Sequence, residues 1–150
     1  MTGGVLPLVA GCTAPAWDAA ECVRSWMGAI HAAARTSRYR VMGDAEGPRP
    51  GPTRNFYSVE LRGEDVVELR LNVPMRVVAA VREVGRIDAP YCEVPGAATF
   101  VVAGFVVGTP EELNASVVDE HLVGLSKADL VDVKYHEPRT VGQILFNWFD

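Results

Sequence analysis

The chain has 150 residues, 49% hydrophobic and 22% charged, with 14 Lys and Arg against 19 Asp and Glu for a net charge of −5. This size and balance suit one globular domain and exclude a disordered chain, a collagen-like chain and a coiled coil. The acid surplus disfavours nucleic acid as a partner, because the one arginine cluster (Arg35, Arg38, Arg40, Arg49, Arg54) is broken by Asp44 and Glu46 and carries no recognition motif.

Residues 1–12 read as an N-terminal arm. Thr13 then offers an N-cap, Pro15 a first-turn proline, and Asp18 and Glu21 acids at the positive end of a helix dipole. Trp17, Ala20, Val23, Met27, Ile30 and Ala34 recur at three- and four-residue steps, which predicts one long amphipathic helix. His31, beside this stripe, reads as a partly buried structural histidine. Residues 40–54, with Gly47-Pro48-Arg49-Pro50-Gly51-Pro52, read as a Pro/Gly-rich loop. Strict alternation over 55–61 and 66–73, around Arg62-Gly63-Glu64-Asp65, predicts an antiparallel hairpin.

Residues 74–84 carry conflicting signals. Asn72, Pro74 and Gly85 favour a helix and the valines a strand; the expectation leans to helix. Residues 86–96 read as loop and 99–107 as a central strand. Thr109-Pro110-Glu111-Glu112 opens a helix reaching about Val123, and Ser126 offers a cap for another short turn. Residues 131–136 alternate like a strand, and Thr140 with Gln143 opens a last helix bearing Val141, Ile144, Leu145 and Trp148. The fold expected is a single α+β domain: a long N-terminal helix, a mainly antiparallel sheet of about four strands, and a C-terminal helix packed on the sheet.

The residues able to carry chemistry are few. If 131–136 is a strand, Asp132, Lys134 and His136 share one face, as Glu68, Arg70 and Asn72 do on the hairpin, next to Ser58 and Glu60. A carboxylate beside an imidazole supports acid–base work, and a lysine can stabilise a developing anion. The simpler expectation for such a face is solvation with cross-strand ion pairs. Phosphate-loop, nucleophile-elbow and zincin motifs do not occur. Cys12, Cys22 and Cys92 lack zinc or disulfide spacing, and Asp119-Glu120-His121 reads as a solvated helix face. No cofactor and no metal are therefore expected.

The N-terminus lacks the basic region of a secretory signal, and the longest apolar run, 97–107, is about half a membrane helix. A cytoplasmic protein with no membrane span is expected. The Arg-, Ala-, Val- and Gly-rich usage resembles that of a GC-rich bacterial genome. Two functions remain. One is a non-catalytic binding or accessory protein, immunity- or adaptor-like by fold-level analogy, that meets a protein partner through a polar sheet face (Glu60, Glu68, Arg70, Asn72) and the Arg/Pro loop (Arg40, Arg49). The alternative is a cofactor-independent cyclase or isomerase working by acid–base catalysis in a small-molecule pocket around His136, lined also by Asp132, Lys134, Glu68 and Arg70.

Overall fold

The computed structural model describes residues 5–48 and 54–148. One long helix, α1 (Ala20–Ser37), precedes strands β1 (Arg40–Glu46), β2 (Tyr57–Arg62), β3 (Val66–Asn72), β4 (Val77–Val81) and β5 (Tyr91–Cys92). Helix α2 (Ala97–Val102), strand β6 (Val106–Val107) and four short helices follow: α3 (Pro110–Leu113), α4 (Asp119–Leu122), α5 (Lys127–His136) and α6 (Val141–Leu145). The sheet runs β1-β2-β3-β4-β5 antiparallel, with β6 added in parallel to β4. The protein is thus a single α+β domain with an N-terminal helix and a mainly antiparallel sheet. Among the described residues, no helix is long and apolar enough to cross a membrane.

Strand alternation divides the apolar residues between the two faces of the sheet. Val59, Leu61, Val67, Leu69, Leu71, Val78 and Ala80 pack with Trp26, Ile30 and Ala33 of α1 and Phe100 of α2. Phe56, Val77, Ala79, Val81 and Tyr91 meet Leu6, Leu8 and Cys12 of the arm, Leu113 of α3 and Val141, Ile144, Leu145 and Phe146. The sheet therefore lies between two apolar layers.

The hairpin forms as its pattern predicts, and the last helix opens at Thr140 as expected but ends at Leu145, which leaves Trp148 beyond it. Thr140 caps α6 by accepting a hydrogen bond from the Gln143 amide. Gly142 sits where an added Cβ would come 2.3 Å from the Tyr91 ring, so α6 can lie flat on β5 only without a side chain there.

Several elements differ from expectation, each for a physical reason. Helix α1 starts at Ala20, because the Thr13 hydroxyl is engaged by Asp129 at 2.5 Å. Its buried residues are Trp26, Ala29, Ile30, Ala33 and Ala34, so the buried stripe is displaced from the predicted one. Trp17 lies outside the helix and is 60% exposed, and His31 is exposed. Residues 40–46 form β1 rather than loop, pairing with β2 through a register shift between Met42 and Glu46, where Gly43 takes φ +90°. Arg49 and most of the Pro/Gly run lie outside the described residues.

The expected helix at 74–84 is strand β4. The Asn72 side chain that looked like a helix cap instead closes a turn, accepting from the Met75 amide at 3.0 Å. The expected strand at 99–107 is mostly helix α2, which buries only Phe100 and leaves Val102 exposed. Gly96 allows this helix to approach α1: an added Cβ there would lie 2.6 Å from that of Ala33. The helix expected from 109 to 123 is split into α3 and α4. The loop expected at 86–96 holds β5, so Cys92 sits on a strand. The expected strand at 131–136 is helix α5, opened at Ser126 by a reciprocal box with Asp129. His121, expected on a solvated face, is buried, and its Nδ1 accepts from the Val118 amide at 2.9 Å.

Trp26 is fully buried, yet its indole N–H has no hydrogen-bond partner among the described residues. Trp26→Phe removes that unsatisfied donor while keeping most of the ring. Its melting transition should lie within about 1 kcal/mol of wild type, where truncation of a buried aromatic to alanine costs about 3–5 kcal/mol. A Trp26→Phe loss in the alanine range would show that the N–H has a partner.

Candidate functional site: the polar face of the sheet

The register of β1 to β4 sets the polar residues out in rows. Arg40 pairs with Arg62; Met42, Glu60, Glu68 and Val81 form the next row, and Glu46, Ser58, Arg70 and Ala79 another. Glu60, Glu68, Arg70, Asn72 and Arg40 therefore occupy one face of one sheet. The arm and the C-terminal helices roof part of that face and leave the rest open.

Beneath the roof, polar residues act as structure. Arg70 is fully buried. Its Nε pairs with Glu68, Nη1 donates to the Tyr91 hydroxyl at 3.1 Å, and Nη2 donates to the Arg86 carbonyl at 2.7 Å. Its guanidinium also lies 5.0 Å from the centre of the Phe56 ring. The other Glu68 oxygen accepts from the Gly85 amide at 2.9 Å. Burial pushes the Tyr91 phenol up to about 12, against the opposing pull of Arg70. This set of bonds holds the β4–β5 connection against β3.

Asn72 belongs to a second buried set. Asn55 and Asn72 each donate to the carbonyls of both Cys12 and Leu145, at 2.8 to 3.1 Å. The Asn147 amide donates to Asn55 Oδ1 at 2.9 Å. Three asparagines thereby tie the arm and the end of α6 to the sheet, in keeping with the rule that buried polar groups are hydrogen-bonded. Asn55 and Asn147 were not singled out from the sequence. Nothing in their local pattern marks them, because their partners are backbone groups of distant segments.

The open part of the face is a cleft of about 260 Å³ lined by Met42, Asp44, Glu46, Arg54, Ser58, Glu60, Glu68 and Gly85. Its charges are mostly paired within the molecule: Arg62 with Glu60 at 2.6 Å, and Arg54 with the Glu46 carboxylate at 3.8 Å and its carbonyl at 2.6 Å. Asp44 is exposed and makes no ion pair among the described residues. Of the predicted binding residues, Glu60 lines this cleft and Glu68 closes its inner end. Arg40 is exposed on the neighbouring row, and Arg70 and Asn72 are covered.

The acid–base residues are arranged differently. On helix α5, Asp132 and His136 lie one turn apart, while the exposed Lys134 is turned about 160° from either. His136 lines a separate cavity with Asp88, Glu137, Arg139, Gln143 and Trp148, and neither Asp132 nor Lys134 lines it. The structure therefore does not bring His136, Asp132 and Lys134 together with Glu68 and Arg70.

The cysteines are not placed as nucleophiles. Burial, with Asp129 adding to it, pushes the Cys12 thiol up to about 12. Burial also raises Cys22, which accepts from Arg76 Nη1 at 3.4 Å, and raises Cys92. Neutral thiols are poor nucleophiles and poor metal ligands.

In comparison with known proteins, no family model, curated protein or solved structure matches the chain.

Proposed function

We propose that this is a small non-catalytic binding protein, of the accessory or adaptor kind, that meets a protein partner over the open end of its polar sheet face. The observation that carries the reading is the cleft itself. One half of this face is sealed by the arm and α6, and the other half is left uncovered with charged side chains of both signs at its rim. Alternating charges of this sort select a partner by pattern rather than by net charge, since a misplaced like charge costs more than a matched pair gains. Glu60, Arg62, Asp44 and Arg40 are the readers in this account, and Arg54 fixes the floor. Glu68 and Arg70 support the face from behind.

The test is a charge-reversed variant, Asp44→Lys with Glu60→Lys, compared with wild type by affinity capture from the native host and then by direct binding to the purified partner. Asp44 is exposed and its reversal should change stability by about 0.5 kcal/mol, while Glu60 is half-buried and gives up its pair with Arg62, a loss of about 1 kcal/mol. Binding should fall at least tenfold. A partner held equally well by both forms, or no stoichiometric partner for wild type, overturns the reading.

A further inference from the structure

We propose that the cavity at the α5–α6 corner is a binding site for a small aromatic carboxylate, separate from the sheet face and independent of its role. The cavity measures about 410 Å³, within the usual range for small-molecule sites. Its walls come from three segments: Ile87 and Asp88 of the β4–β5 connection, the turn from His136 to Arg139, and Gln143 with Trp148 at the C-terminal end. Glu137 closes α5 in a left-handed conformation, φ 49°, with its N–H on the Val133 carbonyl, and this reversal carries Arg139 to the cavity.

The polar groups sort by what they already hold. Asp88 is engaged by Arg86 at both oxygens, Nε to Oδ1 at 3.2 Å and Nη2 to Oδ2 at 3.1 Å, and this pairing holds its carboxyl below the usual range. Gln143 Oε1 accepts from the Arg139 backbone amide at 2.7 Å, which leaves the Gln143 NH₂ as a donor. The Arg139 guanidinium makes no ion pair among the described residues. Among Asp88, Gln143 and Arg139 the spare capacity is therefore donor capacity, centred on one planar guanidinium that matches a carboxylate, with the His136 imidazole on the same wall.

The remaining lining is apolar and aromatic. Trp148 forms one wall, its ring braced 5.8 Å from that of Phe56, and Ile87 and Pro138 add aliphatic surface. A guanidinium with no ion pair among the described residues, on the same cavity wall as an indole, suits one carboxylate carrying a flat ring. A polyphosphate would find too few cations, and a neutral ring would leave Arg139 unused. Glu137 is exposed at the rim and disfavours a second negative charge on the ligand.

The experiment is an amide-resolved NMR titration of the full chain with 3-phenylpropionate up to about 10 mM, since binding in the millimolar range is readable this way. The neutral 3-phenylpropanamide serves as control. Saturable shifts are expected at Arg139, the Gln143 side chain and the Trp148 indole, with the amide bound at least tenfold more weakly. Arg139→Gln should weaken the carboxylate at least tenfold while leaving the rest of the spectrum in place, because Arg139 is exposed. Absence of saturable shifts, equal binding of acid and amide, or unchanged affinity in Arg139→Gln would each overturn the proposal. None of these results bears on the charge-reversal test of the sheet face.

Discussion

Replacing Arg70 with methionine will destabilise the protein far more than replacing Arg70 and Glu68 together. Arg70 and Glu68 are both buried, and among the described residues Arg70 is the only cation bonded to Glu68. Arg70→Met leaves the buried Glu68 carboxylate without its cation and with the Gly85 amide as its remaining donor, along with an unmet Arg86 carbonyl. Breaking a buried pair from one side costs about 3–5 kcal/mol, a large share of the 5–15 kcal/mol typical of a whole domain. The melting temperature should fall by about 10 °C, taking about 2–4 °C per kcal/mol at this chain length. The pair Glu68→Gln, Arg70→Met removes both charges, and the double variant should regain a large part of the loss. Thermal melts of the two single variants and the double one give the coupling energy directly. If Arg70→Met alone costs less than about 1 kcal/mol, the pair is not the anchor described here.

Asp129 carries the second large effect. Its carboxylate accepts from the Gly11 amide at 2.8 Å, the Thr13 hydroxyl at 2.5 Å, and the Ser126 amide and hydroxyl at 2.9 and 2.8 Å. One side chain thus clasps the N-terminal arm to α5 and caps that helix. Asp129→Ala strands the buried Thr13 hydroxyl and the half-buried donors of Gly11 and Ser126, and should cost about 2–4 kcal/mol. Asp129→Asn keeps one acceptor oxygen and should cost about half as much. Burial alone would raise this carboxyl, but the bonds from Thr13, Gly11 and Ser126 outweigh it and hold the group below its ordinary value of 3.8. A carboxyl depressed in the folded state contributes stability above its unfolded value and loses it as pH falls through the folded one. Stability supplied by Asp129 is therefore complete at neutral pH and declines below about pH 4, the unfolded carboxylate range. Urea titrations of wild type and Asp129→Asn at neutral and acid pH should converge as the medium is acidified. A gap that stays constant down to strong acid would show that the charge on Asp129 contributes nothing.

Local signals were legible where one signal stood unopposed. The 55–73 hairpin and the Thr140 cap each rest on a pattern with no rival, and both form. Sequence failed where two periods overlapped. Residues 131–136 alternate Val-Asp-Val-Lys-Tyr-His, which satisfies a strand, but the Ser126-Lys127-Ala128-Asp129 box upstream commits the backbone to helix. The cost is visible as exposed Val131 and Tyr135. The Asn72 signal was real but ambiguous, since an Asn side chain that accepts from the amide three residues on serves a turn as well as a helix. For the site, strand alternation placed Glu68, Arg70 and Asn72 on one face with Glu60. It could not reveal that the arm and α6 cover part of that face, because the covering segments lie some 60 to 75 residues away in the chain. The cavity at Arg139 owes its shape to a left-handed Glu137, a conformation that no residue-type preference announces.

The irregularity in β1 bears on how the molecule keeps to itself. β1 is the outer strand of the sheet path, and its pairing with β2 is broken between Met42 and Glu46 around the left-handed Gly43. A straight seven-residue border would offer a row of backbone donors and acceptors to any passing chain, the usual seed of runaway stacking. The kink at Gly43 interrupts that row, while Arg40, Asp44 and Glu46 set charges along it and Pro48 follows close behind. The border can thus flank the open cleft without templating fibrils, and Gly43→Val would trade that protection for a longer adhesive rim.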